Sequence, residues 1–501
     1  MESQRQQSQK QQHQKQPSPR QVQTSKEILN NDLKAVLSEA RFSSINQNIA
    51  EKFLVPFALI LQASSFSISI LSTLPQLLGA CTQIYAVKIL HTFPSRRRLI
   101  ASLMFLQTVT WLPLFLVPLL FPSLGVISII ISYSVFYMIG GFFTPAWSSW
   151  IVTIVPESAR GRFYGRKNQT AGRFGFFAAT LGGYLLSVIG DIHIWLAYGI
   201  LFLIACLAKA IAAHYITRIH EDEITKHIPP PHGVTFQDFL KHIDETSFGK
   251  YVFYMCCMSF AVNIAAPFFT PYMLHTLEQG GLGFTYLQFT IIMAVGASAS
   301  FLVFRHWGSI ADRFGNKRVF VLTGFLVPFI PLFWIFSKNF YYLLAIEVIS
   351  GIVWAGFNLT TANYVFDLVG SKNRMEYNAY YGGLTTFAVF LGALVGSGLH
   401  VVAAWIGMHD ITLLFSVSFL LRFAVVLFFL TTLKEMRDVE GYHFMYELAI
   451  RPVQGFAHGS VQYIRDSFVH FKRKHLLDIV KAEHYLDETL ETHQKKNSGK
   501  K

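Results

Sequence analysis

Charged residues are scarce in this 501-residue chain. Asp, Glu, Lys and Arg together make up 14% of it, whereas ordinary soluble domains contain roughly 25%. Hydrophobic residues make up 52%, and this balance excludes an ordinary soluble enzyme. Cysteine is scarce as well. Because all 4 cysteines lie within long apolar runs, the sequence predicts no extracellular disulfide framework.

The motifs of two classes of membrane protein are also missing. An ATP-driven pump needs the phosphate-binding loop G-x-x-x-x-G-K-[ST], which does not occur in the sequence. A membrane metalloenzyme needs histidine pairs at helical spacing, and none of the 18 histidines lie three or four residues apart. We therefore expect no cofactor, no metal site and no catalytic residues, and an intramembrane enzyme is disfavoured.

Apolar runs long enough to cross a membrane recur between residues 42 and 433. A membrane-spanning helix needs about 20 residues to cross a hydrocarbon core of about 30 Å. Because backbone groups inside the bilayer cannot bond to water, each run must be helical, and the predicted fold class is an all-α membrane protein. The predicted transmembrane helices are twelve, at residues 43–62, 67–90, 99–120, 124–154, 167–189, 194–217, 250–277, 284–310, 318–337, 339–366, 377–403 and 410–433.

The basic residues lie on one side of these spans. They cluster before the first span, in alternate loops and after Lys434. Under the positive-inside rule, this pattern places both termini and the basic loops in the cytoplasm of a protein integral to the plasma (cell inner) membrane. The net charge of +13 is then explained by topology and anionic lipid, and no nucleic-acid partner is expected.

The spans form two similar halves separated by a hydrophilic segment. LFLIACLAKA (201–210) aligns with LFSVSFLLRF (414–423), pairing Lys209 with Arg422, and a second pair of segments aligns at nearly the same offset. Nearly equal offsets favour a duplicated six-helix unit. The predicted domains are a Gln-rich disordered cytoplasmic tail (1–41), an N-terminal six-helix bundle (42–217), a cytoplasmic linker with a short amphipathic helix (218–249), a C-terminal six-helix bundle (250–433) and a partly helical cytoplasmic tail (434–501).

One charged loop carries a resemblance to a known family. The sequence GSIADRFGNKR, Gly308 to Arg318, lies between predicted spans 8 and 9. It resembles the loop signature G-x-x-x-D-R-x-G-R-[KR]-[KR] of the major facilitator superfamily of secondary transporters, with Asn316 in place of a basic residue. The resemblance covers residues 42–433, and a prokaryotic-type member is expected. It implies two pseudo-symmetric six-helix bundles with substrate between them near the membrane midplane.

The same loop is predicted to form a cytoplasmic gate. Asp312 can be held by the positive N-terminal end of a helix in the other half, which in the family is span 5, bearing here Arg160 and Arg162. Gly308 is predicted to let two helices approach closely, and Gly315 to permit the reversal between them. Arg313, Lys317 and Arg318 complete the motif. The alternative is that these charges only anchor the helices at the membrane face.

Four ionisable residues are predicted to lie at bilayer depth, where they are costly and mark a pathway or a pair. Glu347 and Arg422 have similar predicted depths in spans 10 and 12, so we expect a structural salt bridge between them. Glu51, in the polar segment NQNIAEKFLVPF of span 1, is the candidate for proton coupling or cation binding. Alternatively, span 1 starts later and Glu51 lies in the headgroup region. The fourth residue is Lys209 in span 6.

Polar or aromatic residues on spans 4, 5, 7 and 10 are further candidates for substrate contact: Trp147, Arg173, Asn263 and Asn358. They offer stacking, charge and amide hydrogen bonds, and Arg173 suits an anionic substrate. Each is equally compatible with helix packing.

The sequence as a whole predicts a monomeric secondary active transporter. It would move a small solute through the lipid bilayer by alternating access, coupled to an ion such as H⁺ in symport or antiport. The identity of the substrate cannot be predicted from the sequence. The alternative is a transporter-derived sensor or lipid-handling protein without solute flux, and a flux measurement distinguishes the two.

Overall fold

The computed structural model describes residues 19–155, 160–221, 236–241, 246–368, 374–406 and 410–429. Within these ranges the regular secondary structure is helical and no strand occurs. The predicted C-terminal tail (434–501) and most of the predicted linker lie outside the described residues, so their predictions are not examined by the structure.

The helices follow the order of the predicted spans and are labelled α1 to α12. Their bounds are α1, Pro19–Ile49 continued by Leu54–Ile60; α2, Ser65–Ile89; α3, Arg96–Val109 continued by Trp111–Leu120; α4, Gly125–Ile154; α5, Arg160–Val188; α6, Gly190–Thr217; α7, Ser247–Asn263 continued by Phe269–Leu274; α8, Tyr286–Phe314; α9, Asn316–Leu326 continued by Phe329–Phe336; α10, Phe340–Leu368; α11, Arg374–Ile406; and α12, Asp410–Phe429. A linker helix, Phe236–Lys241, lies between α6 and α7.

Nine of these helices confirm the membrane-spanning prediction by length and composition. They are α3, α4 and α6 to α12. The other three, α1, α2 and α5, are also long helices, but glutamine, serine, threonine and basic residues make them more polar. The prediction of an all-α membrane protein is therefore confirmed. Of the twelve predicted spans, nine are confirmed as helices long and apolar enough to cross a membrane.

Helix α1 begins well inside the segment predicted to be a disordered tail. It is helical from Pro19, and Val36, Leu37 and Ala40 are buried. These residues share one face because they recur at intervals of one, three and four positions. That face belongs to an apolar cluster that includes residues of α3, α4 and α6, which explains why the part of the segment around Val36 is helical and packed.

The internal contacts of the two halves repeat as the duplication predicts. On α1, Asn46 Nδ2 donates to the carbonyl oxygen of Ala205 on α6 at 2.9 Å. On α12, Ser418 Oγ donates to the carbonyl oxygen of Ala261 on α7 at 2.6 Å. The pairing of the first helix with the sixth therefore recurs as the pairing of the seventh with the twelfth.

Close glycine contacts repeat in the same way. A Cβ atom on Gly141 of α4 would overlap the carbonyl oxygen of Gly79 on α2, and a Cβ on Gly351 of α10 would overlap that of Gly296 on α8. Small residues let membrane helices pack backbone to backbone. The second and fourth helices of each half therefore share one mode of packing.

The linker helix packs against the C-terminal half. The ring of Phe239 lies 5.3 Å from that of Tyr377 and 5.5 Å from that of Tyr380, both at the start of α11. The short amphipathic helix predicted in the linker is thus helical over Phe236–Lys241, and its apolar side contacts protein.

Candidate functional site

A polar cavity of about 420 Å³ lies between helices of both halves. Its volume falls in the range of small-molecule sites, about 300–1,000 Å³. Most of the wall comes from the N-terminal half, and α11 supplies the rest. The lining residues are Gln47 and Glu51 of α1; Gln76, Gly79, Ala80 and Gln83 of α2; Gln107 of α3; Phe136, Tyr137, Gly140, Gly141, Phe143 and Thr144 of α4; Lys209 of α6; and Asn378, Ala379, Gly382, Gly383 and Thr386 of α11.

The cavity lies towards the end of the bundle that carries the basic loops. This basic end contains the α2–α3 loop, the start of α3 at Arg96 and the start of α11 at Arg374. Asn378 lies about 6 Å along α11 from Arg374, at 1.5 Å per residue. Glu51 lies at the deep end, close to the middle of the bundle.

The two halves contact each other beyond Glu51. The ring of Phe53, just after the break in α1, lies 6.2 Å from that of Phe289 on α8. A Cβ on Gly183 of α5 would overlap the side chain of Thr290 on α8. Both contacts join the halves near the start of α8, at the end of the bundle opposite the basic loops.

Glu51 lies where α1 is interrupted. The α-helix ends at Ile49, and residues Glu51–Phe53 form a single 3₁₀ turn before the helix resumes at Leu54. The carboxylate Oε2 accepts hydrogen bonds from Tyr133 Oη at 2.9 Å and from Tyr137 Oη at 3.3 Å, both on α4. Glu51 thus lies inside the bundle, at the cavity wall, and is bonded to protein.

Lys209 of α6 places a positive charge in the same wall. Its side chain is 8% exposed. The ammonium nitrogen lies 5.5 Å from the ring centroid of Phe136 and 5.8 Å from that of Phe143. Both distances suit a cation–π interaction. The cavity therefore combines one acid and one base with aromatic faces.

Amide side chains supply most of the remaining polarity. Gln107 Nε2 donates to the carbonyl oxygen of Phe136 at 2.7 Å. A Cβ on Gly140 would come within 2.9 Å of that nitrogen, so the glycine provides the room for this contact. Gln107 Oε1 is buried without a hydrogen-bond partner among the described residues. It is an unpaired acceptor buried beside the cavity.

One residue of the predicted gate, Gly315, has the expected geometry. Gly315 separates α8 from α9 with φ of 91°, a conformation that side chains strongly disfavour, so a glycine is required there. Gly308 does not have the predicted role, because an added Cβ would lie at an ordinary contact distance of 3.9 Å from Leu359. The side chains of Asp312, Arg313, Arg160 and Arg162 lie outside the described part of the structure, so the gate remains a prediction.

The residues after the reversal lie at the start of α9. Lys317 and Arg318 are half-buried. Asn316, which replaces a basic residue of the family signature, is buried and accepts a hydrogen bond from Asn363 Nδ2 of α10 at 3.1 Å. The departure from the signature therefore makes a contact between α9 and α10.

The predicted salt bridge between Glu347 and Arg422 is not formed. Arg422 donates to the carbonyl oxygens of Val262 on α7 and Val327 on α9, at 3.2 Å and 3.4 Å. The carboxyl of Glu347 instead lies against Gly296 of α8. Similar depth suggested the pair, but the two side chains leave their helices in different directions.

The other predicted substrate residues do not line this cavity. Trp147 lies under Lys167, whose ammonium is 5.9 Å from the ring centroid. Asn263 Nδ2 donates to the carbonyl oxygen of Ser259 in its own helix at 2.8 Å. Arg173 and Asn358 are exposed. Of the substrate and coupling candidates, the cavity therefore contains Glu51.

The sequence interpretation missed the partners of Glu51. Tyr133 and Tyr137 lie four positions apart on α4 and so share a helix face, which is a readable signal once Glu51 is suspected. Lys209 was recognised as an intramembrane charge but was not assigned to a site. Its proximity to the rings of α4 depends on packing between helices, which residue spacing does not report.

Comparisons with known proteins agree with this architecture. The curated MFS-type transporter ppz2 of Metarhizium majus (strain ARSEF 297) is 31% identical over 122 residues, which are 24% of this chain and 20% of that protein. The match thus spans about a fifth of the relative's length.

Solved transporters share the fold at low identity. The nucleoside transporter NupG superposes with a TM-score of 0.57 at 16% identity, covering 80% of this chain and 99% of that one. A bacterial homologue of the iron transporter ferroportin, in an inward-facing state, gives 0.57 at 13% identity, covering 81% and 99%. A bacterial homologue of the lysosomal transporter Spinster gives 0.54 at 13% identity, covering 85% and 98%.

The profile of the Major Facilitator Superfamily matches residues 42–327 and 252–454. These ranges include all twelve helices except the N-terminal part of α1. The chain therefore belongs to the Major Facilitator Superfamily, a family of membrane transporters rather than enzymes.

Proposed function

We propose that this protein is a secondary active transporter that moves a small solute across the plasma (cell inner) membrane by alternating access, coupled to the proton through Glu51. The observation that carries the proposal is the polar cavity between the two halves, with the Glu51 carboxylate bonded to two tyrosines at its deep end. Family membership supports transport, and the acid in the wall supports coupling to a cation.

The position of the cavity supports alternating access. It lies towards the basic end, which we propose is cytoplasmic together with both termini. Contacts such as that of Phe53 with Phe289 join the two halves towards the opposite end. Rocking of one half against the other would open these contacts and close the basic end, where we propose that Asp312 engages the start of α5.

The surroundings of Glu51 support a role in proton coupling. Removal from water favours the neutral carboxylic acid, whereas the two tyrosine hydroxyls and the charge of Lys209 favour the carboxylate. Glu39 on α1 is a second acid in the field of Lys209, and Lys52 directly follows Glu51 in the chain. Opposing influences of this kind allow a change in hydration to shift the protonation state as the cavity opens and closes.

The test is solute flux in proteoliposomes with and without a pH gradient, using radiolabelled gluconate, glucose, glucosamine and uridine. Wild-type protein should accumulate one of these solutes when the gradient is present. Glu51→Gln should abolish gradient-driven accumulation, because a neutral amide cannot release a proton. The matched control is Glu347→Gln, since Glu347 is an intramembrane acid outside the cavity lining.

Two results would contradict the proposal. Accumulation by Glu51→Gln equal to that of wild type would reject the coupling role. Solute binding without flux under any gradient would reject transport and favour the alternative of a sensor or lipid-handling protein.

A further inference from the structure

The ammonium group of Lys209 lies in the cavity wall without a hydrogen-bond acceptor among the described residues. Its nearest recorded partners are the ring faces of Phe136 and Phe143, at 5.5 Å and 5.8 Å. Ring faces attract the charge but do not replace the acceptors that three N–H donors lose when they leave water. The group is therefore incompletely satisfied by the protein.

The nearest carboxylates are engaged elsewhere. Glu51 Oε2 accepts hydrogen bonds from Tyr133 and Tyr137. Glu39 Oε1 accepts one from Ser43 at 2.7 Å. Both acids act on Lys209 through their charge, yet in the described ranges neither forms an ion pair with it. The ammonium group thus keeps its donors for another molecule.

The second half of the protein provides a matched comparison. Arg422 occupies the position of Lys209 in the duplicated sequence. It is 2% exposed, and its guanidinium donates to two backbone carbonyl oxygens, those of Val262 and Val327. One copy of this basic residue has protein acceptors and lies in the helix packing, whereas the other has none and faces the cavity.

A free acceptor lies in the same wall. Gln107 is 2% exposed, and because its Nε2 donates to the carbonyl oxygen of Phe136, its amide orientation is set by that bond. Its Oε1 has no partner among the described residues. A hydroxyl group, which can donate a hydrogen bond, would satisfy this oxygen.

We propose that the cavity binds a small hydroxylated carboxylate, with its carboxylate group on Lys209 and a hydroxyl group on Gln107. The inference rests on the proposed transport function and names its substrate class. An organic cation is disfavoured because the ring faces of Phe136 and Phe143 already hold the Lys209 ammonium. A neutral polyol would leave that ammonium without a counter-charge. The other lining amides, such as Gln83 and Asn378, can bind further hydroxyl groups.

The proposal assigns the bound anion a place beside the coupling acid. A substrate carboxylate would repel the Glu51 carboxylate across the cavity, and this repulsion disappears when Glu51 carries a proton. Anion and proton are therefore expected to enter together, as in symport.

The test is ligand binding to the purified full-length protein in lipid nanodiscs, measured by calorimetry. The probes are gluconate, its neutral counterpart glucose, the cation glucosamine, and acetate, which has a carboxylate but no hydroxyl group. Wild-type protein should bind gluconate at least about tenfold more tightly than glucose or glucosamine, as expected for one charge-assisted contact. Lys209→Gln should remove this preference, whereas Lys209→Arg should retain it.

Two further variants separate the site from general effects. Lys167→Gln is the matched control, because its ammonium also lies over a ring, that of Trp147, but outside the cavity lining. It should bind gluconate like wild type. Gln107→Leu should weaken gluconate binding severalfold and leave acetate binding unchanged. This variant also tests the site if Lys209→Gln does not fold.

The inference is overturned if wild-type protein does not bind gluconate, binds glucose equally well, or keeps its preference in Lys209→Gln. Gradient-driven flux of glucose or glucosamine by a protein that ignores gluconate would overturn the substrate class and leave the transport function standing. Gluconate binding that depends on Lys209 without any flux would overturn the transport function and leave the substrate class standing.

Discussion

Replacement of Gly141 on α4 by alanine should force α4 away from α2. The Cβ atom would overlap the carbonyl oxygen of Gly79, so the helices would have to separate by roughly 1 Å to restore van der Waals contact. Forcing one carbon into a packed interface costs about 1–3 kcal/mol. Both glycines line the cavity, so the same displacement should also alter ligand binding.

The assay is thermal unfolding of the purified protein in one detergent, with the variants measured side by side. Gly351→Ala should be destabilised to a similar degree, because it meets Gly296 in the repeated contact of the second half. Gly398→Ala is the matched control: it lies within α11, and an added Cβ would meet no atom within 4 Å. It should melt at or slightly above the wild-type temperature, since alanine favours helix more than glycine does.

Equal melting temperatures of Gly141→Ala and Gly398→Ala would contradict this prediction. That result would mean that the α2–α4 interface can accept a side chain without separating. A loss of stability in Gly141→Ala but not in Gly351→Ala would retain the packing argument for the first half and reject the structural repeat.

Three further predictions concern stability measured in the same way. Asn46→Ala and Ser418→Ala should each lower the free energy of unfolding by about 1 kcal/mol, because each removes one buried interhelical hydrogen bond. The two losses should add in the double variant, since the sites lie in different halves. A strongly non-additive result would contradict the independence of the two sites. Gly315→Ala should cost about 1–3 kcal/mol because its φ of 91° is unfavourable for alanine, and an unchanged melting temperature would show that the reversal can be rebuilt. Glu221→Ala should lower the free energy of unfolding by about 1 kcal/mol, since the Glu221 carboxylate accepts a hydrogen bond from Ser95 Oγ at 2.5 Å at the start of α3. Glu221→Gln keeps one acceptor oxygen and should lose less stability.

The sequence was sufficient to predict the helices whose polarity is low throughout. Nine spans could be read from length and hydropathy alone. The start of α1 could not be predicted in this way, because polar residues such as Asp32 and Glu39 interrupt its apolar face. In the structure these residues have partners: Asp32 accepts from the backbone nitrogen of His220, and Glu39 accepts from Ser43. The Asp32 contact joins residues 188 positions apart, so a reader of the sequence alone takes these polar residues for an exposed segment.

The site was predictable only one residue at a time. Glu51 could be singled out because an acid within an apolar span is costly, whatever surrounds it. The pairing of Glu347 with Arg422 failed because depth along a helix does not fix the direction in which a side chain points. On α10 that direction is towards α8, and on α12 it is towards α7 and α9. Direction follows from helix packing, which the spacing of residues within one helix does not determine.

The duplicated basic position, Lys209 in one half and Arg422 in the other, has different contacts in the two halves. In the C-terminal half, Arg422 fastens α12 to α7 and α9 through backbone carbonyls, so its charge contributes to packing. In the N-terminal half, the contact between α1 and α6 is made by Asn46 instead, one helical turn from Lys209 along α6 at the carbonyl of Ala205. Because that contact does not use the lysine, Lys209 is free to face the cavity. The same half supplies five of the six helices that line the cavity, so a bound solute would contact mainly the N-terminal half, and α11 completes the wall.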